Sequence, residues 1–351
     1  MNCLWTIHRP PAVLQEDILH HVFGHVADLS TLARAAAVCR GWAWPARTAL
    51  YRDIEYHPLS SCSKEALLAR TMRTQTQLLR FVRRLSLVTT WTYSPIPELC
   101  EWIEHIPENR LQEFCWTWER GHLLPSLLTF PAVRAVRRVK LRGQLYTMAA
   151  IQSILELPAL EYLSLELRGD EQGTLAVVPP RLRRLSVIAH EGHSSSLDQL
   201  LAVVGSQIDT LHITCKLGED SNRDAALVSC IHAHCPDLSR LKVDAIGPMT
   251  VATEFADALV KGYPSLEYLR CGQGTFSPHI LRLVPPNLRV LKLAFAPALD
   301  VPLLAFLTDP GHRLKVLRVL ELSGTDVLIY DRILAACNTL GVDFRLYHSP
   351  S

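Results

Sequence analysis

No stretch of this 351-residue sequence stays apolar long enough to cross a bilayer as a helix. Met1 to Pro11 has neither the positively charged start nor the apolar core of a secretory leader, which points to the cytosol or nucleus. No charge sign dominates. Lys and Arg number 36 against 34 Asp and Glu, a net charge of +2, so bulk electrostatics gives no pull toward nucleic acid. The ten cysteines are scattered, and no C-x-x-C occurs. In a reducing compartment such cysteines act as small buried hydrophobes. There is no Gly-rich phosphate loop, no G-x-S-x-G and no pair of acids at an identifiable site. Neither an enzyme nor a cofactor is expected.

What the sequence has is a repeated apolar triplet, spaced L-x-x-L-x-L. It reads Val82 to Leu87, Leu111 to Trp116, Val136 to Leu141, Leu160 to Leu165 and Leu182 to Val187. It continues as Ile208 to Ile213, Leu238 to Val243, Leu266 to Cys271, Leu288 to Leu293 and Leu317 to Leu322. The intervals run from 22 to 30 residues and average about 26. The last two apolar positions of each triplet lie two apart and share one face of a strand, while the residue between them faces the other way. Between triplets the period turns helical: Met148, Ile151, Ile154 and Leu155 share one face, as do Leu197, Leu200, Leu201 and Val204. Proline stands two residues before five triplets, at 158, 180, 236, 264 and 286, where it ends the preceding helix. The two intervals of 22 residues carry Val178-Pro179-Pro180 and Val284-Pro285-Pro286 and leave room only for a turn or a short helix. A lone strand and helix cannot bury both apolar faces, but stacked units can. The pattern resembles leucine-rich repeats.

The first 57 residues read differently. Ile18, Leu19, Val22, Phe23 and Val26 share a helical face over about Gln15–Val26. A second helix carries Leu32, Ala35, Ala36 and Cys39, with Asp28 or Ser30 to cap it. A third spans about Ala43–Leu50, and Tyr51–Tyr56 is extended. Leu14, Asp17-Ile18-Leu19, Val22-Phe23, Leu29, Leu32, Val38-Cys39-Arg40 and Trp42 resemble the F-box motif, followed by Pro45-Ala46 and Leu50 to Ile54. The departure is Gln15, where the family has proline. Together with the repeats, the chain resembles a fungal-type F-box protein with leucine-rich repeats.

The resulting expectation is an α/β chain: an F-box-like helical module over 1–57, then a leucine-rich-repeat solenoid over 58–351 with a parallel, concave β-sheet. The first unit of the solenoid is a capping repeat whose helix runs from about Ser63 to Leu79, and about ten repeats follow. Trp91, Trp102, Trp116 and Trp118 are read as aromatic packing at that end, and Phe344 to Tyr347 as a final edge strand.

Histidine-rich stretches bring no metal expectation. In Cys230-Ile231-His232-Ala233-His234-Cys235 only Cys230 and His234 share a helical face, and no second ligand pair stands at a standard spacing. His21 and His25 lie four apart without an adjacent acid, and His190-Glu191-Gly192-His193 is read as a solvated loop.

The F-box resemblance implies a substrate-recognition subunit that docks a Skp-type adaptor, and through it cullin, while the repeats hold a protein substrate. The expected docking residues are Leu14, Ile18, Leu19, Val22, Phe23, Leu32, Val38 and Trp42. The alternative is a repeat scaffold or inhibitor not coupled to ubiquitination. On the exposed sheet face the triplet spacing places Arg84, Arg138, Lys140, Arg142, Arg184, Arg240, Lys242, Arg270 and Lys292. The acids there are fewer: Glu113, Glu166, Asp244 and Glu321. Arginine forks suit paired carboxylate or phosphate oxygens, which points to an acidic or phosphorylated protein segment as ligand; the alternative, which ranks ahead of it, is that the arginines are solvated, with their stems covering neighbouring strand residues. Nucleic acid is not expected, because only Tyr162 and Tyr268 interleave the strip as stacking platforms.

Overall fold

The computed structural model describes residues 12–57, 63–89, 101–118, 125–143, 147–167, 173–190, 194–218, 220–247, 253–294, 299–309, 316–323 and 330–347. Its centre is one twelve-stranded sheet in which the strands follow each other in chain order. The strands are β1 (Asp53–Tyr56), β2 (Arg84–Thr89), β3 (Glu113–Trp118), β4 (Arg138–Gly143), β5 (Tyr162–Leu167) and β6 (Arg184–Ala189). They continue as β7 (Thr210–Cys215), β8 (Arg240–Ala245), β9 (Tyr268–Cys271), β10 (Val290–Ala294), β11 (Val319–Ser323) and β12 (Asp343–Tyr347). The pairings are parallel, which requires a crossover after each strand, and helices or turns supply it. By packing, the chain falls into two compact units, Met1–Lys140 and Leu141–Ser351.

All thirty triplet positions are buried, none more than 5% exposed. In the second unit the register aligns them as rows. Leu163, Leu185, Leu211, Leu241, Leu269, Leu291 and Leu320 are consecutive partners across seven strands. Four of the five prolines also shape the entry to the strand. Leu160, Leu182, Leu266 and Leu288 each donate their N–H to the carbonyl three residues back, closing a turn with proline at its second position. Proline is preorganised for that place. The first apolar residue of the triplet thus closes the turn that starts the strand. Strand entry repeats as well: the carbonyls of Arg52, Arg83, Glu161, Arg183, Asp209, Ser239, Glu267 and Arg289 each accept two successive N–H groups from the next unit.

In the first unit, three helices precede β1: α1 (Ala12–Gly24), α2 (Leu29–Val38) and α3 (Arg40–Leu50). Asp28 caps α2, accepting from the N–H groups of Ser30 and Thr31 and from both hydroxyls. Hydrogen bonds from the Thr31 and Ser30 side chains and backbone hold its carboxyl at a pKa of about 2. Phe23, Leu32, Ala35 and Ala46 form the shared core. Trp44 meets Phe81 edge-on at 4.6 Å, and the Arg80 guanidinium lies 4.2 Å above the Trp44 ring.

Three details differ from the sequence reading. The extended segment after α3 is not an appendage of the helices: Asp53–Tyr56 pairs with Arg84–Leu87, so the sheet begins one strand before the first triplet. The expected helix from Ser63 to Leu79 is α4 (Ser63–Thr74) followed by a 3-10 segment, Thr76–Phe81. Gln75 leaves the helical region (φ −120°, ψ 60°), and the tighter turn brings Leu78, Leu79 and Phe81 all into the core. Leu67, whose spacing with Leu68, Thr71 and Met72 predicts a place on the apolar stripe of that helix, is 58% exposed.

Trp102 and Trp116 are buried, Trp102 against Tyr56 at 5.8 Å. Trp91 and the side chain of Trp118 lie outside the described residues. The short Pro-Pro units behave as expected: no helix forms over 173–183, and only Ile280–Leu283 forms in the other. Asp343–Tyr347 is the last strand. Among the described residues no helix is long and apolar enough to cross a membrane.

Candidate functional site

Two surfaces carry the residues singled out by sequence. The first is on the three-helix module. Of the eight expected docking residues, Phe23 and Leu32 are 6% and 2% exposed and belong to the module's own core. Leu19 packs against that core from its edge. Ile18, Val22, Val38 and Trp42 are 60%, 50%, 63% and 39% exposed. Leu14 lies in α1, but its side chain is outside the described residues. Leu29, also part of the motif, is 58% exposed.

The split follows from helix geometry. Ile18 and Val22 are one turn apart on α1, while Phe23 projects about 100° away toward α2 and α3. Trp42 stands on α3 and meets Phe23 edge-on at 5.6 Å, so the exposed indole is anchored by the core beneath it. Ile18, Leu19, Trp42 and Trp44, with the charged Glu16 and Arg40, line one groove. Gly41 also lines it, and Pro45 lacks the N–H that would reach the Gly41 carbonyl four residues back.

The second surface is the sheet face that carries the residues between the buried pairs. In the first unit, Arg84 is held by both carboxylate oxygens of Asp53, at 2.7 and 2.6 Å, which raises its pKa. Lys140 pairs with Glu113 at 2.6 Å, and Arg138 is exposed. In the second unit Arg142, Arg184 and Arg240 are exposed. There, Lys242, Arg270 and Lys292 are register partners on three successive strands, with His212 before them and Glu321 after. Adjacent strands lie about 4.8 Å apart, so this is a tight row of like charges. Burial first, then the charges of Arg270 and Arg240, lower the pKa of Lys242.

The acids on this face are placed to offset that repulsion. Asp244 accepts from His212 Nε2 at 2.8 Å and stands 3.9 Å from Arg270. Burial alone would raise its pKa, but the His212 hydrogen bond and the Arg270 charge lower it. Glu321 pairs with Lys292. Four of the nine expected cations are therefore matched by a carboxylate, and the strip is more neutral than the sequence suggested. The reason is register. Glu321 is the in-row neighbour of Lys292, and Asp53 that of Arg84, neither visible until the strands are aligned.

His212 was not singled out by sequence. Its Nδ1 lies 3.3 Å from Ser186 Oγ while Nε2 meets Asp244, so serine, imidazole and carboxylate form a line across three strands. Ser186 is only 6% exposed. A covered hydroxyl fixes the ring rather than attacking a substrate. Tyr268 lies under Arg240, whose guanidinium is 4.7 Å from the ring centre, with the Lys242 ammonium at 5.8 Å. Its exposure is 9%, so the ring is no platform for a base.

A third cluster lies on the helices. α8 (Ser195–Val204) and α9 (Ser221–His234), counted with the three short helices α5 (Pro125–Leu128), α6 (Pro131–Arg134) and α7 (Met148–Leu155) before them, bring Asp198, Cys230 and His234 together. Asp198 Oδ1 is 3.2 Å from Cys230 Sγ and 3.2 Å from His234 Nε2. Burial first, then the Asp198 carboxylate, push the Cys230 thiol up to about 12. His232, in the same histidine-rich stretch, instead bonds the Leu259 carbonyl at 3.0 Å. Comparison with protein-family models and with curated proteins returned no match to this chain.

Proposed function

We propose that this chain is a substrate-recognition subunit of a Skp–cullin–F-box ubiquitin ligase, with no chemistry of its own. The observation that carries the reading is the set of exposed apolar side chains Ile18, Val22, Val38 and Trp42, of which Ile18 and Trp42 line one groove, on a module whose core is already filled by Phe23, Leu32, Ala35 and Ala46. Clustered aliphatic and indole side chains around a groove are the chemistry of a helix-docking interface. The adaptor's apolar helix is the partner, and the repeats hold the substrate. Tethering raises the effective concentration of substrate lysines beside the charged conjugating enzyme.

Val22→Asp and Trp42→Ala test this in pull-down with a Skp-type adaptor. Each should weaken binding by about 2 kcal/mol or more, roughly thirtyfold, as interface anchors do. Circular dichroism should not change, because both side chains are exposed. Adaptor binding by both variants at the wild-type level removes the docking face from the proposal. A wild-type chain that does not bind the adaptor turns the reading to a repeat scaffold or inhibitor.

The sheet face of the second unit suits an acidic or phosphorylated segment. Among the described residues, the in-register row Lys242, Arg270 and Lys292, with Arg240 beside it, has Asp244 and Glu321 as its carboxylate partners. Arg240→Gln with Lys242→Gln should reduce retention of phosphoserine and polyglutamate peptides on the immobilised full chain. Added salt should reduce wild-type retention in the same way. Adaptor binding should stay unchanged. Retention that ignores both salt and the double substitution places the substrate elsewhere.

A further inference from the structure

We infer that Asp198, Cys230 and His234 form a divalent zinc site on the helical layer of the second unit. Cys230 and His234 are four residues apart on α9 and share one face, and Asp198 comes from α8, one repeat earlier. The three ligand atoms lie within 4.8 Å of one another. Zinc bonds of about 2.3 Å to sulfur and 2.0–2.2 Å to nitrogen and oxygen, at tetrahedral angles, require ligand atoms roughly 3.3–3.6 Å apart. Asp198 Oδ1 stands 3.2 Å from each of its two neighbours, so that oxygen is already close to the required spacing.

The donor set is suited to this ion. Thiolate, imidazole and carboxylate together match a borderline-soft metal and poorly match calcium or magnesium, which take oxygen. The metal-free arrangement holds two hydrogens in the same space: the Cys230 thiol and an imidazole N–H both point at Asp198. On binding, the thiol proton leaves to solvent, the neutral imidazole carries its single proton on Nδ1 instead of Nε2, and the lone pairs of Sγ, Nε2 and Oδ1 meet the ion, so that one proton is released per ion bound. Cys230 is 6% exposed, whereas the side chains of Asp198 and His234 are 48% and 28% exposed. The sulfur is therefore shielded while the outer side stays open, and water or a side chain from a partner fills the fourth position.

Cobalt titration of the full chain, prepared free of metal under reducing conditions, decides the matter. One equivalent of Co2+ should produce a thiolate-to-cobalt charge-transfer band with four-coordinate visible absorption, and one equivalent of Zn2+ should abolish both. Cys230→Ser should remove the charge-transfer band. Asp198→Asn and His234→Gln should weaken affinity at least as much as loss of an outer supporting group, about 10–100-fold. Cys235→Ser, next to His234 but not among the three, should leave the spectrum unchanged. Circular dichroism identifies any variant that fails to fold, and Asp198→Asn, nearly isosteric and half exposed, keeps a folded variant in the set. Absence of the band in wild type, its persistence in Cys230→Ser, or its loss in Cys235→Ser alone would each overturn the site.

Discussion

Leu163→Ala and Leu291→Ala should each lower the free energy of unfolding by about 2–5 kcal/mol in urea denaturation, with Ser164→Ala below about 0.5 kcal/mol. Both leucines have no exposed surface. Each sits in the leucine row, Leu163 beside Leu185, and Leu291 between Leu269 and Leu320. Truncation removes the methyl groups and leaves a void that both neighbouring units line. A rigid ladder relaxes poorly into such a void, which puts the loss toward the upper part of the range. Ser164 is one residue away and faces the other side of the sheet, so its hydroxyl is replaced near solvent. Lys292→Ala is not the silent counterpart that strand alternation alone suggests. It strands Glu321, whose side chain is only 19% exposed, without its ammonium partner. Equal losses at Leu163 and Ser164 would place the strand one residue out of phase, which moves every side chain to the opposite face.

The apolar triplets were legible because burial repeats at one sequence spacing and needs no knowledge of neighbours. So were the helices at Met148–Leu155, Ser195–Val204 and Ser221–His234, and the shortening at the two Pro-Pro units. The early start of the sheet was not. Asp53–Tyr56 is too short to show a triplet and sits beside a helical motif that claims it. The eight residues expected to dock a partner were legible as apolar positions of the helical module, but the division of the described ones into core and surface was not. Phe23 and Val22 are adjacent letters of one motif, and only the packing of α2 and α3 decides which is covered. The carboxylates that match the cations, and Asp198 beside Cys230, lie 26 to 32 residues from their partners. That distance is one repeat. Local motif reading looks along the chain, whereas chemistry in stacked units runs across it, so aligning consecutive units is the signal that would have found them.

Asp257→Ala should destabilise the chain by about 2–4 kcal/mol, on the scale of a core leucine, since hydrogen bonds to a charged group contribute about 1.5–3 kcal/mol each. Asp257 opens the short helix α10 (Phe255–Lys261) and is only 2% exposed. It accepts from the Ser277 N–H at 2.9 Å and from the Ser277 hydroxyl at 2.8 Å. That hydroxyl in turn accepts from the His279 N–H at 3.1 Å. The turn after β9 is fixed by the same neighbourhood: Thr275 bonds back to Gly272, and Ala256 donates its N–H to the Thr275 carbonyl. Alanine leaves the backbone donor of Ser277 without an acceptor, while the hydroxyl can turn toward water because Ser277 is half-buried. Asp257→Asn keeps one oxygen for that N–H and should lose less than half as much. Ser277→Ala removes the hydroxyl's bond to Asp257, about 1.5–3 kcal/mol, together with the acceptor of the His279 N–H, and keeps the Ser277 N–H on Asp257. Because the two side chains share one bond, the double variant should lose less than the sum of the single ones, with a coupling of about 0.5 kcal/mol or more. Strict additivity, or an Asp257→Ala loss below about 0.5 kcal/mol, would mean that this buried carboxylate does not hold the turn that sets β9 beside β10.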